Sequence, residues 1–259
     1  MSSSQIRQQI VIDAVNNTGR AFNAVNSNLN RVSNEADRVN QFLSRMQAHF
    51  LGLVGFNVGV DLVRSMSTMS DRAIELDAKM RLVSETNEDA ADSFKQLTEI
   101  SLRSGTALDD NATLFTRINK PIRAMGYAMQ DAVDITEILA LSMRISGASF
   151  QEGASTTLQF SQAMASGVLR GEEFNSLMEN SPRVIETLTD SLEVTTGTLR
   201  QMAHDGLLTS EVVVKSMLEQ AEAIRIESSK LPLTIARSVI NIKTEMLVFM
   251  GTMNETNTS

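Results

Sequence analysis

An all-α fold is predicted by three observations. Apolar residues recur at intervals of three and four along most of the chain, aromatic residues are scarce, and only three prolines (Pro121, Pro182, Pro232) interrupt 259 residues. There is no Trp, one Tyr (Tyr127) and ten Phe, so the apolar weight rests on Leu, Ile, Val, Ala and fifteen Met. That mix favours helix packing over a sheet core. The expected architecture is a compact multi-helix bundle flanked by long amphipathic, coiled-coil-like helices at both ends. Three segments are expected: 1–60, 61–228 and 229–259.

The first segment carries the most regular pattern. Phe22, Val25, Leu29, Val32, Ala36, Val39, Leu43 and Met46 alternate spacings of three and four, and Phe50 continues them. A sustained seven-residue repeat is a coiled-coil seam. The intervening positions are mostly Asn, Ser and Arg, so the apolar stripe is narrow and needs a partner. Two partners fit: the chain's own domain, or a second copy in a self-associating rod. The unbroken phase of seven favours the copy. From Phe50 to Asp61 an apolar run carries Gly52, Gly55 and Gly59. It falls short of the ~20 apolar residues of a membrane span. Close helix–helix approach at small residues is the favoured reading; the alternative is a membrane-active segment.

Residues 62–84 read as a helix of mixed polarity. Thr86 to Asp89 mark an N-terminus, after which Ala91, Phe94, Leu97 and Ile100 line a helix ending at Gly105. Asp109 or Asp110 caps the next, which buries Leu114, Phe115 and Ile118 and is kinked or ended by Pro121. A helix over 130–145 carries Val133, Ile135, Ile138, Leu139 and Ser142, with Gly147 beyond it. Ser149 and Glu152 have capping-box spacing and open a helix holding Leu158, Ser161 and Ala165.

Punctuation is densest over 165–220. Gly167 stops one helix, and Gly171 starts another whose first turn holds Glu172 and Glu173, favourably placed against the helix dipole. Phe174, Leu177 and Met178 form its apolar face. Ser181-Pro182 is an N-cap followed by proline at the first helical position, ahead of a stripe of Val184, Ile185, Leu188 and Leu192. Gly197 marks a turn, and Leu199, Met202 and Ala203 line a short helix that Gly206 ends. Thr209 or Ser210 caps a last one with Val213, Met217, Leu218 and Ala221. After Leu231-Pro232, Ile235, Val239, Ile242, Met246 and Phe249 resume the spacing, before a polar end expected to fray.

The same stretch carries a family likeness. Gln162, Ser166-Gly167, Leu169-Arg170-Gly171-Glu172-Glu173-Phe174, Leu177, Glu179, Pro182, Leu188, Val194, Gly197, Leu199, Met202, Gly206-Leu207 and Leu208-Thr209-Ser210 resemble the N-terminal domain of bacteriophage and prophage tail tape-measure proteins. Ser146 to Ser149 and Gln159 to Ala163 add to it, and the likeness covers roughly residues 70 to 225. It implies a virion tail protein, assembled in the host cytoplasm, that occupies the tail lumen, templates tube polymerisation and sets tail length. The implied partners are the tail tube protein, tail tip or baseplate proteins and assembly chaperones. Membrane contact is confined to ejection. As a single helix, 259 residues would reach roughly 390 Å, and a compact middle shortens that greatly. Family members are usually much longer, so a fragment, a short tail or a length set elsewhere is expected.

Little in the chain suggests chemistry. Net charge is −8, and residues 165–220 hold four cations against nine carboxylates, a net of −5. Non-specific nucleic-acid binding needs clustered Lys and Arg, so no specific nucleic-acid partner is expected. With no Cys, disulfides and thiolate chemistry are excluded. His49 and His204 are far apart in sequence, and neither HExxH, GxSxG nor a Walker-type loop occurs. Glu172 and Glu173 are neighbours on a helix and diverge, whereas a shared-proton site needs convergence. No catalytic, metal or cofactor residue is assigned. Arg170, Gly171, Glu172 and Glu173 are the candidate contact residues. Two rivals accompany the ruler: a docking plug at the tail tip, and a cell-wall-degrading tail enzyme, which would need a carboxylic acid in a cleft.

Overall fold

Caps and glycines delimit the helices much as their spacing predicts. The computed structural model describes residues 61–232 and 234–258, with α1 (Asp61–Val83), α2 (Asn87–Ser104), α3 (Leu108–Ala124), α4 (Met129–Ile145), α5 (Phe150–Ser166), α6 (Gly171–Asn180), α7 (Pro182–Leu192), α8 (Thr196–His204), α9 (Ser210–Glu219), α10 (Ala221–Ser229) and α11 (Ile235–Thr258). The seam from Phe22 to Met46 and the glycine-rich run after Phe50 lie outside the described residues. Among the described residues β-type pairing is a single antiparallel bridge, Val168 with Thr209.

Helix α4 is the hub. It packs against α2, α3, α5, α7, α9 and α10. Being surrounded, it buries apolar residues on most of its circumference: Val133, Ile135, Ile138, Leu139, Ala140 and Leu141 are all buried. Around it, α5 lies on α3 and α6, and α9 on α7. Helix α11 folds onto α1 and α2 within the same compact unit. Val239 is half-buried there, and Ile242 and Met246 are buried; the side chains of Ile235 and Phe249 lie outside the described set.

Several expectations need correction, mostly because small polar residues join the buried faces. On α2 the inward face is Ala90, Ser93, Leu97, Ile100, Ser101 and Ser104, and Ala91 is exposed. Ser101 and Ser104 fit inside because their hydroxyls donate to the carbonyls of Leu97 and Ile100, at 2.8 and 2.7 Å. On α5 the ring of Phe160 sets the phase: Thr156, Thr157, Phe160, Ser161, Ala163 and Met164 are buried, while Leu158 and Ala165 face outward. Ala107 occupies the N-cap position of α3 without a side-chain bond, so Asp109 and Asp110 stand in the first turn. Pro121 lies within α3, which runs on to Ala124. Gly197 is inside α8, and the reversal before it is made by Glu193 at φ 53°. Ser181 sits at the N-cap position of α7, but its buried hydroxyl makes no bond. Ala221 begins a separate helix, α10, after a break at Gln220. The polar end remains helical to Thr258, since no Gly or Pro follows Gly251.

The end of α2 is held in an unusual way. The last carbonyls of a helix have no partner within it. Here Leu102 O accepts from Asn241 Nδ2 at 2.8 Å, Arg103 O from Arg144 Nη1 at 2.6 Å, and Ser104 O from Arg237 Nη1 at 2.9 Å. Two guanidiniums also suit the negative end of the helix dipole. Gly105 follows in the left-handed conformation at φ 68°, and a Cβ on it would lie 2.7 Å from Arg237 Cβ. Gly105→Ala is therefore expected to lose about 2 kcal/mol, combining left-handed strain with displacement of Arg237. Urea denaturation of the variant measures it, and a neutral result would mean that α11 does not close on this turn.

Candidate functional site

The candidate contact residues emerge from a clamped strand-like segment. Helix α5 ends at Gly167 in a left-handed cap. The chain then pairs with the segment before α9: Leu169 N donates to Leu208 O and Ser210 N to Gly167 O, both at 2.8 Å. Leu169 and Leu208 are fully buried, and Ser210 Oγ donates back to Ala163 O at 3.2 Å. The knot joins Gly167 and Leu169 to Leu208-Thr209-Ser210, all of them among the residues that carry the family likeness. Thr209 caps α9, accepting from Val212 N at 3.3 Å.

From the knot, Arg170, Gly171 and Glu172 emerge exposed, and Glu173 is half-buried. Arg170 is the N-cap residue of α6 without a cap bond, and both glutamates lie in the first turn. Gly171 has φ 55°, and a Cβ there would lie 3.9 Å from Glu173 Oε2, so that carboxylate leans back over the glycine. Phe174 and Leu177 lock the far side of the turn into the core. The structure thus brings all four residues together on one fixed turn, where one cation and two carboxylates meet solvent or lie close to it.

The buried charges are elsewhere, and sequence reasoning missed them. Glu137, on apolar α4, is 5% exposed. It accepts from Arg225 Nε at 3.0 Å and Nη2 at 2.8 Å, and it pairs with Arg103. One carboxylate therefore ties α4 to α2 and α10. Arg183 on α7 ties to Glu227 on α10 at 2.8 Å. The signal was available: a charged residue on a helix buried all round is either paired or costly, and Glu137 and Arg144 are such residues.

A cavity of about 490 Å³ opens between the α2–α3 turn, the α4–α5 turn and α11. Asp110, Arg144 and Arg237 line it with Ile145, Phe150, Pro232 and Ile240. Burial, reinforced by the Asp109 carboxylate, pushes Asp110 up to about 6. Burial alone holds Arg144 below its usual range; for Arg237 burial comes first and the charge of Arg144 second.

Asp110 gives a pH test. In an unfolded chain an aspartate titrates near ~3.9. The native state therefore holds this proton more tightly, so its contribution is fully present below that value and is lost as pH rises through about 6. Allowing for solvent screening, wild type should lose about 1 kcal/mol relative to Asp110→Asn between pH 4 and 7. Parallel urea-denaturation series for the two proteins would assign that loss to another group.

His204 lies on the surface at the end of α8, with Nδ1 2.9 Å from Asp205 Oδ1. Its contact first, and that of Gln201 second, holds the exposed Asp205 carboxyl below the usual range. No group of three or more His, Cys, Asp or Glu side chains suited to a metal occurs among the described residues. No described helix is long and apolar enough to cross a membrane.

No curated protein and no solved structure matches the chain. A protein family described as "Tape measure protein" matches residues 64–255, roughly three quarters of the sequence, and the match reaches into every helix just described. Residues and knot agree with it: the chain belongs to the tape measure protein family, structural components of phage tails.

Proposed function

We propose that the helical unit of residues 61–258 is the docking body of a phage tail tape-measure protein, and that length is measured by extended helix such as the seam from Phe22 to Met46. One observation carries this reading: the family match falls on a unit folded back on itself. Helix α11, with 24 residues, spans roughly 36 Å at 1.5 Å per residue. A body built this way fixes position far better than it measures length. It docks at the tail tip or baseplate, and Arg170, Gly171, Glu172 and Glu173 supply a contact. The seam joins copies into a homo-oligomer that meets the tail tube protein and assembly chaperones in the host cytoplasm, and membrane contact belongs to ejection. The second reading makes the chain itself a ruler in the lumen that templates the tube, and the unslipped seven-residue phase of the seam favours it.

Two measurements on the parent phage test the docking contact and the measuring role of the seam one at a time. Charge reversal at Glu172 and Glu173 together is expected to abolish tail assembly at a cost of only about 1–2 kcal/mol in stability, the lost interaction with the start of α6. Normal tails would overturn the docking contact. Deleting or duplicating one heptad within 22–46 should shorten or lengthen tails in proportion by electron microscopy. Unchanged length with failed assembly would leave docking as the role and remove the ruler from the seam.

A further inference from the structure

We propose that the cavity between the α2–α3 turn, the α4–α5 turn and α11 receives a short segment of another tail protein, carrying a carboxylate next to an apolar side chain. This deepens the docking reading above and rests on it. Three features support it.

The first is unsatisfied charge. Arg144 is 8% exposed, and neither it nor Arg237 forms an ion pair among the described residues. Their side-chain bonds go to main-chain carbonyls: Arg144 to Arg103 O and Leu231 O, Arg237 to Ser104 O. A guanidinium carries five N–H donors, so most of them stay uncommitted. The second is the sign of the site. Two positive charges stand against Asp110 and roughly half a negative charge at the end of α2. The cavity stays positive even with Asp110 ionised, and more so once it is protonated. The third is shape. About 490 Å³ lies within the ~300–1,000 Å³ of ligand pockets. That suits a few side chains and is too small for a helix. Ile145, Pro232 and Ile240 give it an apolar wall, and Phe150 stands at its rim 63% exposed.

The probes are N-acetyl-Leu-Glu-Leu amide, its Leu-Gln-Leu counterpart and its Leu-Lys-Leu counterpart, titrated into the full chain and followed by amide NMR at Gly105 and Gly147. The expected result is saturable shifts with the Glu peptide, about tenfold weaker binding of the Gln peptide for loss of a charge-assisted bond, and none with Lys. Because the charge is varied in the peptide, the charge comparison does not depend on a variant folding. Phe150→Ser, at an exposed position, should weaken the Glu peptide severalfold without moving the denaturation midpoint. Equal binding of the Glu and Gln peptides, or no shift with the Glu peptide, would overturn the proposal. Either result leaves the charge-reversal and tail-length experiments untouched, so the two failures are distinguishable.

Discussion

Replacing Glu137 with glutamine is expected to destabilise the helical unit by about 3 kcal/mol, the lower end of the ~3–5 kcal/mol typical of breaking a buried ion pair. For a unit of this size the melting temperature should fall by roughly 6–12 °C. The carboxylate grips Arg225 through Oε2 and Arg103 through Oε1. Glutamine keeps one acceptor and turns an N–H toward a guanidinium. The lower figure applies because the partners are 55% and 35% exposed at their side chains and can return to water. Arg225→Met in the Glu137→Gln background should add less than it does alone, because both changes remove the same contact. Guanidinium chloride denaturation of the four proteins measures both effects. A loss under about 1 kcal/mol for Glu137→Gln would place this cluster with ordinary surface pairs.

Phe174→Ala should also cost about 3–5 kcal/mol, from lost transfer energy plus the cavity left behind. Phe174 is 2% exposed, beside fully buried Leu177, and it anchors the turn that displays Arg170 to Glu173. The damage should therefore be local as well as global. Trypsin is expected to cut after Arg170 faster in Phe174→Ala than in Phe115→Ala, a core change on α3 of similar total cost. Equal cutting in the two variants would mean that the turn opens only with the whole unit. Phe174→Leu should lose far less, because it preserves most of the volume.

These residues also show what the sequence could and could not reveal. Caps were legible because their chemistry is local: Thr86 with Asp89 and Ser149 with Glu152 form the reciprocal bonds their spacing implies, and Gly105 and Gly167 end helices in the left-handed conformation. Helix phase was less legible where hydroxyls replace hydrocarbons. The inward faces of α2 and α5 use Ser93, Ser101, Thr156 and Thr157, which a count of apolar residues passes over. The turn at Arg170 was read correctly as glycine-made and acid-bearing, but the clamp on Leu169 just before it depends on a pairing with Leu208, about forty residues away. Least legible were the bonds that end α2. Arg144 and Arg237 are 41 and 133 residues from the carbonyls they hold, and no local pattern announces such a distance. The charges of Glu137 and Arg144 among the buried apolar residues of one helix were the hint that α4 is a centre.

The packing of α11 on α1 has a mechanical consequence. The chain enters the unit through one of these helices and leaves through the other, and they lie side by side, with Ala73 Cβ 3.5 Å from where a Cβ on Gly251 would be. Tension between the two ends is thus borne first where α11 lies on α1 and on the end of α2, before it reaches α4 and its surrounding shell. A pulled body of this design would part at that fastening before its interior yields, and substitutions along the α11 face that meets α1 and α2 would tune the force required.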